Sequence, residues 1–130
     1  MNSYEMYLNH PAGDIITMEE ALQIYTDIFS GVKECKIEDK DQFVKNFITK
    51  ACKYANARML WEDYSTEERM ANDADRSIKH NAFIDSVNIL ARVLNSDGIE
   101  TPWREQLGNQ RKRIGDFACF VSYIVGINNR

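Results

Sequence analysis

The sequence is poor in the residues that build metal centres and covalent cross-links. Its 130 residues include three cysteines and two histidines, and none of them has the paired spacing that structural zinc sites use. Cys52 and Cys119 have apolar helical neighbours, so we interpret them as reduced core residues of a cytoplasmic protein. We therefore expect neither a metal ion nor a cofactor.

Long apolar runs and an excess of basic residues are also missing. The most apolar stretch, FACFVSYIVGI at 117–127, has 11 residues, whereas a membrane-spanning helix needs about 20. Residues 1–13 are polar, so we expect no signal peptide and no membrane association. The net charge of −4 disfavours general nucleic-acid binding but is compatible with one local basic site.

Helix start signals recur along the chain, and no segment alternates with the period of a strand. Thr17 and Ser65 each precede a glutamate by three residues, which is the spacing of a capping box. Pro102 follows Thr101, as proline does in the first turn of a helix. These signals predict an all-α protein.

The apolar periodicity gives the helix bounds. A short first helix follows Thr17, with Leu22, Tyr25, Ile28 and Phe29 facing inward, and Ser30-Gly31 closes it. Further helices are predicted at 41–64, 66–95 and 110–125, with a helical turn around 103–107. We therefore predict one domain over 1–130, a bundle of four main helices plus a short helical turn. Residues 1–15 are predicted to form a loosely ordered N-terminal segment.

The third helix carries polar residues where a core stripe is expected. On a heptad count, Asp73 and His80 share the position that Val87 and Leu94 occupy further along, and Arg76 stands at the partner position. In one interpretation this part of the helix is solvated, or Asp73 and Arg76 form a structural ion pair at i,i+3.

A second interpretation places these residues in a ligand site. If the second and third helices form a hairpin turning near Ser65, polar residues of both lie at one level of the bundle. Such clusters are where helical bundles hold ligands. The predicted cluster contains Tyr54, Arg58, Glu62, Asp73, Arg76 and His80.

Basic residues are concentrated around the start of the last helix of this acidic chain. Arg111, Lys112 and Arg113 begin that helix, where cations oppose the helix dipole unless an acidic neighbour or an anionic ligand compensates them. Arg111 is therefore a candidate ligand-binding residue. Trp103 beside Arg104 combines an aromatic face with a phosphate-pairing group, as nucleotide sites do, although a core tryptophan explains Trp103 equally well.

The last helix is apolar almost all round. A helix of that kind is buried on every side, which predicts that a second subunit covers part of it. Asp116 interrupts the apolar run and is expected to pair with an arginine.

No catalytic arrangement is evident in the sequence. It lacks paired Glu-x-x-His motifs, and no spacing suggests a nucleophile with a histidine base. The carboxylates that could hold magnesium in a nucleotide hydrolase are interspersed with arginines that would compete for them. We expect no catalytic residue, and a metal-dependent nucleotide hydrolase is the third alternative for function.

Two stretches carry resemblances to known families. The run RSIKHNAFIDSVNILAR followed by PWREQLGNQRKRIGDFAC resembles a family of small uncharacterised bacterial and phage helical proteins, from about residue 55 onward. Segment 76–94 also resembles the main helix of small phage proteins that sequester cyclic oligonucleotide signals of antiphage defence. The shared pattern is Arg76-Ser77, His80-Asn81, Asp85 and Arg92, although such helices often have two adjacent acids where only Asp85 stands here.

The second resemblance implies a non-enzymatic oligomer whose arginines hold phosphates. We therefore predict a homo-oligomeric protein that sequesters a small anionic, nucleotide-like ligand, and the resemblance names a cyclic oligonucleotide as the candidate. The alternative is a protein-interaction module, such as an inhibitor or immunity protein, whose acidic surface occupies a basic site of its partner. The predicted ligand-binding residues are Tyr54, Arg58, Arg76, His80, Arg92, Trp103, Arg104 and Arg111.

Overall fold

In the computed structural model, which describes residues 16–128, five helices follow one another. They are α1 (Met18–Glu34), α2 (Lys40–Asp63), α3 (Thr66–Ser96), α4 (Pro102–Leu107) and α5 (Arg111–Asn128). No strand occurs among the described residues, so the prediction of an all-α bundle with four main helices and a short helical turn is confirmed. The predicted N-terminal segment 1–15 lies outside the described residues.

The helix start signals act as the sequence predicts. The Thr17 side chain accepts a hydrogen bond from the Glu20 backbone N–H at 3.0 Å. Ser65 and Glu68 form a complete capping box, in which each side chain accepts from the other residue's backbone N–H. Pro102 is at the start of α4. These local contacts satisfy backbone donors that the helices cannot satisfy themselves.

The predicted end of the first helix is wrong. Ser30 and Gly31 lie inside α1, which continues to Glu34. A Cβ at Gly31 would lie 3.3 Å from Leu94 of α3, so this glycine permits close packing of two helices instead of ending one. Leu22, predicted to face inward, is 49% exposed, whereas Ile28 is buried.

The core lies where α2 packs along both α3 and α5. The Phe47 ring of α2 is 5.7 Å from the Phe83 ring of α3 and 6.5 Å from the Phe117 ring of α5. Residues 114–121 of α5 are all buried within this single chain. The bundle itself explains the apolar character of residues 114–121, whereas Tyr123, Ile124 and Val125 are only half-buried, and the homo-oligomer stays a prediction.

The α2–α3 hairpin extends beyond this core. From residue 59 in α2, through the turn, to residue 79 in α3, every residue is exposed or half-buried, and the first buried residue of α3 is His80. We call residues 59–79 the helical arm. Of the polar residues that interrupt the core stripe of this helix, Asp73 and Arg76 therefore lie in the arm, and His80 lies at its base.

Among the described residues, no helix combines the length and the apolar character that crossing a membrane requires.

Candidate anion-binding site

Three arginines from three helices act electrostatically on two buried rings at the base of the helical arm. Tyr54 of α2 and His80 of α3 are 1% and 8% exposed, and their rings meet edge to face with centroids 5.3 Å apart. The charges of Arg58 (α2), Arg76 (α3) and Arg111 (α5) act on both rings. We call these five residues the arginine cluster. The structure thus brings together the four central residues of the predicted polar cluster and adds Arg111.

An ion pair with a residue of α5 fixes the position of Arg58. Its Nη1 donates to Asp116 Oδ1 at 3.1 Å, and the two residues are 7% and 1% exposed. The predicted pairing of Asp116 with an arginine is therefore confirmed. Gly115 makes room for this pair, because a Cβ there would overlap the guanidinium and lie 2.6 Å from Arg58 Nε. Burial in the same region raises the pKa of the Cys119 thiol to about 12.

Arg76 stacks on an aromatic ring of the neighbouring helix. Its Cζ lies 3.7 Å from the centroid of the Trp61 ring. The ion pair with Asp73 that one interpretation proposed is present at 3.6 Å, but the Asp73 side chain is 63% exposed. Exposed ion pairs contribute little to stability. The Nε of Arg76 is buried and has no hydrogen-bond partner among the described residues.

His80 presents one bonded and one unbonded nitrogen. The Asn81 side-chain oxygen lies 3.2 Å from Nδ1. Because an amide oxygen can only accept, the imidazole proton is on Nδ1, and Nε2 of the neutral ring is an acceptor. Nε2 is buried and has no hydrogen-bond partner among the described residues. Burial, followed by the charges of the three cluster arginines, lowers the pKa of His80, although the contact with Asn81 opposes the shift.

Arg111 is the exposed member of the cluster and the first residue of α5. Its Nη2 donates to Ser77 Oγ at 3.1 Å, and its positive charge opposes the rise that burial causes in the pKa of Tyr54. None of the ion pairs between described residues involves Arg111. A cation at a helix N-terminus opposes the helix dipole, so an anion beside Arg111 would relieve an unfavourable arrangement.

Three other predicted ligand residues lie outside the cluster. Trp103 is 2% exposed and is a core residue, so its ring has no face for a ligand. Arg104 is occupied by the fold, because its guanidinium donates to Asn88 Oδ1, the Gly108 carbonyl and Asn109 Oδ1 at 2.6–2.9 Å. Arg92 is exposed on α3 and lies 12 residues beyond His80, about 18 Å along the helix.

The structure also adds residues that the sequence interpretation missed. Trp61 supports Arg76, and Ser77 accepts from Arg111. Trp61 lies three residues after Arg58, so helical spacing alone could have placed both on one face of α2. Ser77 belongs to the pattern that segment 76–94 shares with the phage helices, but its contact with Arg111 depends on how α5 packs against α3 and has no signal in the spacing.

The cluster meets solvent through Arg111, which is exposed, and through Arg76, whose side chain is 25% exposed. The small cavity between α2 and α3, beside Trp61 and Arg76, has a volume of about 30 Å³, enough for one or two water molecules. Pockets for small ligands are typically about 300–1,000 Å³. Within residues 16–128, no group of three or more His, Cys, Asp and Glu side chains could hold a metal ion. The arrangement can therefore hold an anionic group at its surface, by guanidinium donors around a buried imidazole.

Searches of protein families, curated proteins and solved structures found no match to this chain.

Proposed function

We propose that this protein binds a small anionic, nucleotide-like ligand without catalysing a reaction, and that the arginine cluster holds the ligand's phosphate. The observation that carries the proposal is a pair of buried nitrogens without hydrogen-bond partners, His80 Nε2 and Arg76 Nε. The charge of Arg111, which is exposed and acts on the His80 ring, takes part in no ion pair between described residues.

Physical chemistry favours an anion in this position. A buried polar group without a partner costs about 1–3 kcal/mol, so Arg76 Nε would gain from an opening of the arm that lets a phosphate oxygen accept from it. Hydrogen bonds between guanidinium groups and phosphates are about twice as strong as neutral ones, and their geometry is planar and directional. A phosphate would also lower the mutual repulsion of three arginines that converge on two buried rings.

The exposed position of the cluster implies that it holds only the phosphate of a nucleotide-like ligand. Only one end of a nucleotide would be held by the cluster, so its base and sugar would remain exposed unless a second subunit covered them. We therefore propose a homo-oligomer in which a second copy completes the enclosure. The similarity of segment 76–94 to helices of phage proteins that sequester cyclic oligonucleotides supports a multiply charged ligand of that kind, within a cytoplasmic anti-defence role.

Thermal unfolding with a panel of nucleotides tests the proposal. The panel contains mononucleotides, cyclic mononucleotides, cyclic dinucleotides and cyclic trinucleotides. A ligand at about 100 times its Kd stabilises a protein by about 2.7 kcal/mol, which raises Tm by about 10 °C for 130 residues. If no member of the panel raises Tm, the nucleotide proposal is wrong.

A matched pair of variants locates the site. Arg111→Gln removes a cluster charge, whereas Lys112→Gln removes the charge of the next residue, which is also exposed and forms no ion pair among the described residues. We expect Arg111→Gln to lose most of the ligand-induced shift and Lys112→Gln to keep it. Equal losses in both variants would indicate general electrostatic attraction and contradict the assigned site.

One observation favours the alternative of a protein partner. Met70 and Ile78 of the helical arm are 77% and 66% exposed, and exposed apolar side chains can contribute to protein interfaces. In that case the nucleotide panel would give no shift, and Ile78→Ser would weaken the complex with the partner. The same substitution would leave nucleotide binding at the arginine cluster unchanged.

A further inference from the structure

We propose that an oxyanion binding at the arginine cluster brings one proton with it, which His80 takes up at Nε2. The inference rests on the proposed function, because it concerns the same site. It goes beyond that function by assigning His80 a change of protonation state on binding, so that the affinity for the anion depends on pH.

The geometry of the free site favours a neutral imidazole. The groups that face His80 are Tyr54 and Arg58 from α2, Arg76 and Asn81 from its own helix, and Arg111 from α5. The charged groups among them are all guanidinium groups. One of them, Arg58, is bonded to the Asp116 carboxylate. With Nδ1 donating to Asn81, the acceptor Nε2 is buried without a partner.

An anion at the cluster reverses this preference. Its negative charge offsets the guanidinium charges that oppose a positive imidazole. An oxyanion oxygen facing a neutral Nε2 would place two lone pairs against each other, because both atoms are acceptors. A proton from solvent on Nε2 removes this repulsion and forms a charge-assisted N–H···O bond, while Nδ1 keeps its bond to Asn81.

Reciprocal coupling between the proton and the anion follows. If the anion raises the pKa of His80, protonation of His80 must strengthen anion binding by the same factor. Uptake of one proton makes the affinity rise up to about tenfold for each unit by which pH falls, within the range between the two pKa values. Above that range, binding becomes weaker and independent of pH.

Sulfate is a suitable probe, because it is an oxyanion that does not itself titrate between about pH 5 and 8. The His80 ring is followed by NMR as a function of pH, with and without sulfate, at an ionic strength kept constant with chloride. The chain has one other histidine, His10, so the His80 signal is assigned by its absence from the spectrum of His80→Gln. Sulfate affinity is measured in parallel by calorimetry across the same pH range.

We expect sulfate to move the midpoint of the His80 titration to higher pH and to bind more tightly as pH falls. His80→Gln should bind sulfate with an affinity that does not change with pH, and Arg111→Gln should weaken binding at every pH. If sulfate binds but the His80 titration does not move, proton uptake is wrong and the anion site stands. If sulfate does not bind, or binds Arg111→Gln equally well, the anion site itself is wrong.

Discussion

Replacing Asp116 by Asn should destabilise the protein far more than any surface charge substitution. Asp116 is 1% exposed and accepts from Arg58, which is 7% exposed, so both charges have left water. Removing one partner of a buried ion pair costs about 3–5 kcal/mol, because the remaining charge is poorly compensated. With an unfolding entropy of about 2.1 cal/mol/K per residue, this corresponds to a fall in Tm of about 11–18 °C for 130 residues.

A surface ion pair of the same chain provides the control. Lys79 and Asp75 lie 2.9 Å apart at i,i+4, and their side chains are 35% and 56% exposed. Asp75→Asn should cost only about 0.3–0.5 kcal/mol. Urea unfolding of both variants compares the two pairs directly.

The double variant Arg58→Met/Asp116→Leu isolates the charge effect. Replacing both charges by apolar residues of similar size is often neutral or stabilising, so this variant should be far more stable than Asp116→Asn. A loss below about 1 kcal/mol in Asp116→Asn would show that the pair is not desolvated. A double variant as unstable as Asp116→Asn would attribute the loss to packing.

Two further predictions follow from the same region. Gly115→Ala should destabilise the protein by about 1–3 kcal/mol, because the new Cβ overlaps the buried Arg58 guanidinium. Gly126→Ala in the same helix places its Cβ in open space and should stabilise the protein by up to about 1 kcal/mol. Urea unfolding measures both changes. The lowered pKa of His80 means that the unfolded chain takes up a proton at a higher pH than the folded protein. Stability should therefore fall as pH drops below about 6.5 and level off below the folded pKa. His80→Gln should lack this component, and an unchanged pH profile in that variant would contradict it.

Most of the fold could be predicted because its signals are local. Thr17, Ser65 and Pro102 act within one helical turn, and the structure begins α1, α3 and α4 beside them. The end of α1 could not be predicted in the same way, since Gly31 serves the close approach of Leu94 from a distant helix. The sequence alone does not distinguish a glycine that ends a helix from a glycine that allows another helix to pack closely.

The site was predictable to the extent that it follows helical spacing. Tyr54 and Arg58 are one turn apart on α2, as are Arg76 and His80 on α3, so a hairpin brings the four together. Arg111 joins them only through the packing of α5 between other helices. Equally, nothing local distinguishes Arg111, with its exposed charge, from Arg104, whose donors are consumed by three acceptors of the fold.

The helical arm gives Arg76 a lower local stability than the members of the arginine cluster that lie in the bundle. Residues 59–79 include no buried residue, so opening this arm costs less free energy than unfolding the whole protein, and its amide protons should exchange with solvent sooner than those of the core. Arg76 belongs to the arm, whereas His80 and Arg58 belong to the buried bundle. A ligand held by both would join a segment that opens readily to one that opens only with the core. Binding of the ligand would then also stabilise the closed position of the arm. Amide exchange across residues 59–79 should therefore become slower when the ligand is bound, although only Arg76 of the arm belongs to the site.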